Sequence, residues 1–229
     1  MRALIHNPGQ APVLGTSKPR LIDLEEVSAD ALKAGAARLG QNDQLAIILV
    51  ADPLTTQTMI RELRHNGYRG PLMVFSSATS SDEIADYLYA GADDVLPLAV
   101  GEREMVARIN AITRRLHGII SDQVGLGGLT FYLDGRHPEI SGQQVKLSSR
   151  EYAILRHLVM NKERVVTKSA IYDALYALCA MPPFDKIIEV YICRLRAKIA
   201  AGSGTGANYI ETIPGRGYRL RAPETEAVV

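Results

Sequence analysis

The chain has 229 residues, enough for two modest domains, and its 26 basic and 25 acidic side chains leave a formal net charge of +1. Hydrophobic residues make up 47% of the sequence and charged residues 22%, a composition that argues against a disordered protein. No apolar run is long enough to cross a bilayer, and no signal peptide opens the chain, so we expect a cytoplasmic protein without membrane contact.

The first half of the sequence alternates short apolar runs with amphipathic segments. The runs predict strands at residues 2–6, 20–24, 45–50, 72–75 and 94–98, and the amphipathic segments predict helices at residues 28–39, 55–66, 81–90 and 102–116. This alternation indicates an α/β domain with a parallel five-stranded sheet over residues 1–116. Only about a dozen residues separate the first two strands, so the helix expected between them must be short or missing.

A glycine-rich segment at residues 117–127 has no clear periodicity and is interpreted as a linker. A second domain, α+β, is predicted at residues 128–223, followed by a disordered tail at 224–229. It opens with short strands at 129–133, 139–140 and 144–147, which indicate an antiparallel meander. Residues 146–221 carry 13 basic and 6 acidic side chains, against 12 and 14 for residues 1–116. This excess is typical of nucleic-acid binding, although a solvated basic face would give the same count.

Three helices and a hairpin follow the meander. Ser148 and Glu151 form a capping-box pattern at the first helix, and Thr167 is the predicted N-cap of the second. The third helix is expected from about residue 185 to 200. The hairpin, at residues 208–221, has the turn Pro-Gly-Arg-Gly (214–217) at its tip.

The third helix has two faces. One carries the core stripe Ile188, Ile192, Leu195 and Ile199. The other carries Lys186, Val190, Arg194 and Ala197, with Tyr191 and Lys198 at its flanks. Arginine can bond guanine bidentately in the major groove, and valine or alanine can touch a thymine methyl. Taken alone, this face is more typical of an ordinary surface helix with a few basic residues.

The hairpin favours the DNA-binding interpretation. Arg216 lies between two glycines, Gly215 and Gly217, an arrangement that can place an arginine in a narrow minor groove. A helix pair, a groove-facing helix and a basic hairpin in this order predict a winged helix-turn-helix.

Four motifs in this half resemble the effector domain of the OmpR/PhoB response regulators, over about residues 126–221. They are Leu-Ser-Ser-Arg-Glu-Tyr-Ala-Ile-Leu (147–155), Val-Val-Thr-Lys (165–168), Lys-Ile-Ile-Glu-Val-Tyr-Ile-Cys-Arg-Leu-Arg-Ala-Lys-Ile (186–199) and Ile-Pro-Gly-Arg-Gly-Tyr-Arg-Leu (213–220). The third of them is most similar to the CtrA-type cell-cycle regulators. The resemblance covers roughly a hundred residues and implies binding of double-stranded DNA.

The resemblance also implies roles for individual residues. Arg194 matches the base-reading position, Val190 and Ile187 would line the groove, and Arg216 and Arg219 belong to the wing. Phosphate contacts are implied at or near Lys168, Lys186, Tyr191 and Arg196, and a packing role for Tyr191 stays open. Lys198, at the flank of the helix face, is also predicted to bind DNA. Pro214 stands where many members carry Trp or Arg, which puts the depth of minor-groove contact in question. In this family the loop corresponding to residues 178–184 often faces RNA polymerase.

The N-terminal half resembles a flavodoxin-like (CheY-like) receiver domain, through Ala-Gly-Ala-Asp-Asp-Val (90–95), Glu-Met-Val-Ala-Arg-Ile (104–109) and the pair Arg114-Arg115. A receiver needs an acidic pair for Mg²⁺, an aspartate nucleophile and a lysine. Asn7-Pro8 stand at the acidic pair, Ile48 (or Leu49, with one gap) at the nucleophile and Leu98 at the lysine. The nearest acid, Asp52, is interpreted as a loop or cap residue. We therefore expect a degenerate receiver that cannot be phosphorylated.

Dimerisation is the role predicted for this degenerate domain. In the family, receivers pair through charged residues of the fourth helix, fifth strand and fifth helix, a region that here holds Asp93, Asp94, Glu104, Arg108 and Arg115. A homodimer would place two winged helices on tandem half-sites of DNA. Two alternatives stay open: the domain senses a small ligand or protein partner, or the whole chain is an adaptor that binds only protein.

No enzyme, cofactor or metal site is expected. The two cysteines, Cys179 and Cys193, belong to no CxxC or Cys/His pattern, so reduced thiols are expected. The five histidines are scattered, without a catalytic pattern or a Gly-rich phosphate loop.

Overall fold

The structure is a computed structural model that describes residues 2–11, 21–39, 45–77, 80–176, 183–184, 186–204 and 206–223. The structure does not describe residues 12–20, so it does not test whether a helix lies between the first two strands. Also outside the described residues are positions 178–182 of the predicted loop, with Cys179, and the 224–229 tail. The chain divides into two compact units, with the boundary between Gly118 and Ile119. In the described part of the chain, no helix is long and apolar enough to cross a membrane.

The first unit is built on a parallel five-stranded sheet. Its strands are β1 (Arg2–His6), β2 (Asp23–Glu26), β3 (Ala46–Val50), β4 (Leu72–Ser76) and β5 (Asp94–Pro97), in the spatial order β2-β1-β3-β4-β5. This is the order of the flavodoxin-like fold, as the sequence predicts. The helices are α1 (Ala29–Leu39), α2 (Thr56–His65), α3 (Ser81–Ala90) and α4 (Glu102–Leu116).

The central strands β3 and β4 are buried on both faces of the sheet, which explains why they are almost continuously apolar. In β3, Ile47 and Leu49 pack on the side of α1, α2 and α3, whereas Ile48 and Val50 pack on the side of α4. The predicted second strand lies too early in the chain. Ile22, taken for a strand residue, instead packs into the α4 cluster, and its N–H donates to Glu102 Oε1 at 3.0 Å.

The second unit begins with a four-stranded antiparallel sheet, β6 (Gln123–Leu126), β7 (Leu129–Tyr132), β8 (Glu139–Ile140) and β9 (Gln143–Gln144). Its first strand corrects the prediction that residues 117–127 are only a linker. Val124 is 6% exposed and pairs with Phe131, and the Gly127-Gly128 pair forms the two-residue turn between the strands. The strand predicted at 144–147 is also shorter than expected, since β9 begins at Gln143 and ends at Gln144.

The helices α5 (Ser149–Met160), α6 (Lys168–Tyr176) and α7 (Ile187–Ser203) follow, with the short strand β10 (Val165–Val166) between the first two. The hairpin β11 (Ile210–Ile213) and β12 (Gly217–Leu220) joins β10 in a three-stranded sheet, β10-β12-β11. The predicted capping box is present, because Ser148 Oγ accepts from the Glu151 N–H and Glu151 accepts from the Ser148 N–H. Thr167 Oγ1 likewise accepts from the Ala170 N–H at 3.0 Å, as expected of an N-cap.

Candidate nucleic-acid interface

The α7 helix packs through its predicted core stripe, and Ile188, Ile192, Leu195 and Ile199 are all at most 1% exposed. Its opposite side is an exposed face made of Lys186, Glu189, Val190, Cys193, Arg194 and Ala197. Glu189 and Cys193 were missing from the prediction. The prediction considered only cations and small residues on this face. The spacing of four residues that separates Glu189, Cys193 and Ala197 places all three on it.

Arg194 and Val190 occupy the exposed face as predicted, and Val190 is 42% exposed. Within the described part of the chain, the side chains of Arg194, Lys186 and Arg216 make no ion pair or hydrogen bond. Ile187 is partly buried at the start of the helix. An arginine and a valine on one open helix face can supply a hydrogen-bonding fork and an apolar contact to base edges.

Lys168 lies at the first residue of α6 and is bound to α7. Its Nζ lies 2.5 Å from Glu189 Oε1, an ion pair that joins the two helices of the helix-turn-helix. The hydrogen bond from Lys168 lowers the pKa of Glu189, so the carboxylate is ionised at neutral pH. A predicted phosphate-binding cation is thus paired with a carboxylate that lies on the exposed face of α7.

Lys198 is held by α5 on the flank of α7. Its Nζ lies 2.7 Å from Glu151 Oε2 and donates to the Lys146 carbonyl at 3.1 Å. Burial acts to raise the pKa of Glu151, but the bonds from Lys198 and the Ser148 N–H lower it by more. The side chain of Glu151 is only 4% exposed, so this pair belongs to the interior junction of the two helices.

Tyr191 and Arg196 also have partners inside the protein. Tyr191 is 7% exposed, and its hydroxyl accepts a hydrogen bond from Arg150 Nη1 at 3.1 Å. Arg196 donates hydrogen bonds from Nε and Nη2 to the Ile210 carbonyl, at 2.9 and 2.7 Å. Its Nη2 also donates to Thr212 Oγ1. Both residues therefore have structural contacts that connect α7 with α5 and with β11.

The hairpin tip presents Arg216 to solvent, as predicted. The Arg216 N–H closes the turn on the Ile213 carbonyl at 3.0 Å. Gly217 has a φ of +138°, and a Cβ there would lie 2.0 Å from the Val166 carbonyl oxygen. Only glycine therefore lets the hairpin pack this closely against the end of β10.

Arg219 lies on β12 directly across from Glu211 on β11. Its Nε and Nη2 donate hydrogen bonds to Glu211 Oε2 at 3.0 and 2.7 Å. Arg221 Nη1 lies 3.2 Å from the other oxygen of the same carboxylate, Glu211 Oε1. The bond from Arg219 lowers the pKa of Glu211, which stays ionised. Tyr218 and Leu220, its neighbours in the strand, are buried, so Arg219 lies on the outer face of the hairpin.

The residues predicted at the phosphorylation positions are apolar or already bonded. Ile48 is fully buried, and Leu98 packs against the same cluster. Asn7, which Pro8 follows, bonds the Ala11 backbone through both ends of its amide, at 2.9 and 3.0 Å. Asp52 Oδ1 accepts from the Leu54 and Thr55 N–H groups and the Thr55 hydroxyl, as a loop cap does, and these bonds lower its pKa.

Four of the five residues predicted for dimerisation form ion pairs within the chain. Asp93 Oδ2 lies 2.7 Å from Arg64 Nη2 and accepts a hydrogen bond from the Leu72 N–H at 2.8 Å. Arg108 bridges Asp94 and Glu104, at 3.0 and 2.8 Å. Arg115 is exposed in the last turn of α4, and α3 exposes Leu88 and Tyr89, by 43% and 90%.

A helix pair, an exposed third helix and a basic hairpin define a winged helix-turn-helix, a class of DNA-binding domain. Residues 142–220 match the family model described as "Transcriptional regulatory protein, C terminal". The cell cycle response regulator CtrA of Brucella anthropi is 35% identical over 189 residues, which are 82% of this chain and 81% of that protein. The chain belongs to the OmpR/PhoB-type response regulators, and it is a transcriptional regulator that binds double-stranded DNA.

Two solved structures share this similarity. The response regulator DrrB of Thermotoga maritima, described as an OmpR/PhoB homolog, is 18% identical with a TM-score of 0.42, and the match covers 96% of this chain and 99% of DrrB. The RstA DNA-binding domain of Klebsiella pneumoniae, in complex with the RstA box, is 23% identical with a TM-score of 0.37. That match covers 44% of this chain and 98% of the RstA domain.

Proposed function

We propose that α7 is the reading helix of a sequence-specific regulator, with Arg194 as its base-reading residue and Arg216 as its minor-groove contact. The observation that carries this proposal is the exposed face of α7, where Arg194 and Val190 lie opposite a fully buried stripe. Lys186 supports the same face as a phosphate contact, since its side chain is exposed at the start of the helix.

The test is Arg194→Ala, measured on selected operator DNA and on random DNA. A lost bidentate base contact weakens specific binding by about 5- to 150-fold and leaves sequence-independent binding nearly unchanged. Arg103→Ala is the matched control, because Arg103 is an exposed arginine on α4, outside this interface. Specific binding that survives Arg194→Ala intact would refute the assignment.

We further propose that the regulator acts without aspartate phosphorylation. The supporting observations are the apolar burial of Ile48 and Leu98 and the local bonds of Asn7 and Asp52. Incubation of the intact chain with acetyl phosphate and Mg²⁺ should add no phosphoryl group to its mass, and DNA affinity should not change. Phosphorylation that disappears in the variant Asp52→Asn would overturn this proposal.

The first unit, we propose, serves as a dimerisation platform that places two winged helices on tandem half-sites. The exposed side chains of Leu88 and Tyr89 and the half-exposed Arg108 support this, because they lie on α3 and α4, in the region that pairs in the family. Tyr89→Ser should shift the sedimentation of the intact chain from dimer to monomer at micromolar concentration. A wild-type chain that is already monomeric there, and stays so on DNA, would contradict the proposal.

The loop before α7 is proposed as the contact with RNA polymerase. Of its described residues, Phe184 is 91% exposed, and the Tyr172 hydroxyl bonds the carbonyl of its neighbour Pro183. Phe184→Ala should reduce transcription from a regulated promoter in vitro while DNA affinity stays the same. An unchanged transcript level would argue against this contact.

A further inference from the structure

Three of the carboxylates in the second unit are paired with cations that were predicted to contact DNA. Glu189 is paired with Lys168, Glu211 with Arg219, and Glu151 with Lys198. Residues 146–221 contain only six acidic side chains, so half of them are committed to this set of cations. An arrangement of this kind removes cations from the DNA-facing surface without removing them from the protein.

Two of these carboxylates lie at the surface, where DNA would meet them. The Glu189 side chain is 55% exposed on the DNA-facing side of α7. Glu211 is 31% exposed on the hairpin, and it holds Arg221 at 3.2 Å in addition to Arg219. Both remain ionised, because the pKa of each is lowered by its basic partner. A phosphate that binds Lys168 or Arg219 must therefore compete with a fixed carboxylate.

This competition acts on phosphate contacts, which sequence-independent and specific DNA binding share. Sequence-independent binding depends almost entirely on cations that neutralise phosphates, whereas specific binding adds base contacts. Arg194, the proposed base-reading residue, forms no ion pair or hydrogen bond with any described residue. Pairing Lys168 and Arg219 internally thus weakens the phosphate contacts of both modes, and DNA that lacks the base contacts keeps few other contacts with the protein.

We propose that Glu189 and Glu211 restrain phosphate-driven DNA binding by holding Lys168 and Arg219, so that stable binding depends on the base contacts of α7. This inference rests on the proposed function of α7 as the reading helix. It assigns to two acidic residues, within an otherwise basic surface, the role of keeping the regulator from binding DNA of any sequence.

The experiment compares Glu189→Gln and Glu211→Gln with the wild type, as intact chains on random duplex DNA and on selected operator, over a range of salt. Each released cation should steepen the dependence of log affinity on log salt by about 0.9 and tighten binding to random DNA by about threefold at low salt. Operator affinity should rise by a similar factor, because a phosphate contact acts on DNA of any sequence.

Glu163→Gln is the matched control, because Glu163 is exposed and forms no ion pair with the described residues. It should leave the salt dependence unchanged, which separates release of a held cation from a general loss of negative charge. Equal effects of Glu163→Gln and Glu211→Gln, or an unchanged salt dependence in both test variants, would overturn the proposal. Arg194→Ala distinguishes this failure from failure of the proposed function, since it reports only on the base contact.

Discussion

Lys198 has two competing roles, a predicted contact with DNA and an observed ion pair inside the protein. Lys198 is predicted to bind DNA, whereas in the structure it is bonded to Glu151 Oε2 at 2.7 Å and to the Lys146 carbonyl. We predict that Lys198→Met destabilises the second unit and leaves phosphate binding unchanged. Methionine keeps most of the length of the side chain and its apolar contacts, so the charge is the main change.

The magnitude follows from the burial of the two partners. Lys198 is 40% exposed, but the Glu151 side chain is only 4% exposed. An exposed ion pair contributes about 0.2–1 kcal/mol, and loss of one partner from a fully buried pair costs about 3–5 kcal/mol. Glu151 keeps its bond from the Ser148 N–H at 2.8 Å, which places the expected loss at about 1–2 kcal/mol. Glu151→Gln keeps a side chain that can cap the helix and should lower the free energy of unfolding by a similar amount. The double variant with Lys198→Met should lose no more than either single variant, because both substitutions remove the same ion pair.

The pH dependence has a defined sign. The folded-state pKa of Glu151 is below its ordinary value of 4.5, so the pair stabilises the protein above that value. This contribution is lost as the pH falls through the lowered pKa, and the wild type and Lys198→Met should then converge in stability.

Two measurements on the intact chain test the prediction. Hydrogen exchange of peptides from α5 and α7, at increasing urea, reports the stability of the second unit by itself. The salt dependence of DNA binding counts phosphate contacts and should stay the same. Unchanged stability together with a salt slope reduced by about 0.9 would refute the structural role and restore the phosphate contact.

Two further substitutions test the packing of each unit. Gly217→Ala should destabilise the hairpin by about 3 kcal/mol, because it combines an unfavourable positive φ with a Cβ 2.0 Å from the Val166 oxygen; faster hydrogen exchange of β12 would check it, and exchange at the wild-type rate would contradict it. Arg64→Met should lower the stability of the first unit by about 2–3 kcal/mol, because Arg64 bonds the carbonyls of Gly91, Tyr68 and Gly70 as well as Asp93. Thermal unfolding measures this loss, and recovery in full by Arg64→Lys would show that the fork of the guanidinium is not needed.

Regular periodicity with clear end signals predicted several elements to the residue. The strand β1 and the helices α3 and α4 have the predicted bounds, and Gly91, with a φ of +116°, ends α3. The strand β6 was missed because Gly125 interrupts a four-residue strand and leaves a single buried side chain, Val124, to mark it. Its identity depends on pairing with β7, which local periodicity does not contain.

The candidate interface was predictable in outline but not in its contacts. The core stripe of α7 places Val190 and Arg194 on the opposite side, since both faces follow from the helical repeat alone. The partners of the long basic side chains do not follow from it. Lys198 meets a carboxylate 47 residues earlier in the chain, and Arg196 meets a carbonyl 14 residues later. Such contacts depend on how helices and strands pack, so a motif names the cations but not those that remain available to DNA.

The first unit leads to a last prediction, about Mg²⁺. A cluster of carboxylates at a receiver site repels itself until a divalent cation binds, so such a site is stabilised by the ion. Here Ile48 and Leu98 belong to the apolar cluster, and the Asn7 amide is satisfied by Ala11. If the receiver is degenerate, as we propose, the ion has nothing to stabilise.

We therefore expect the thermal midpoint of the first unit to be the same in EDTA and in millimolar Mg²⁺. A site filled at a hundred times its Kd would add about 2.7 kcal/mol, enough to raise the midpoint of a domain of this size by roughly 10 °C. Hydrogen exchange of peptides from β1 and β3 on heating would show such a rise in this unit alone. A rise that Asp52→Asn abolishes would mean that Asp52 serves as a metal ligand after all, and phosphorylation would have to be reconsidered at that residue.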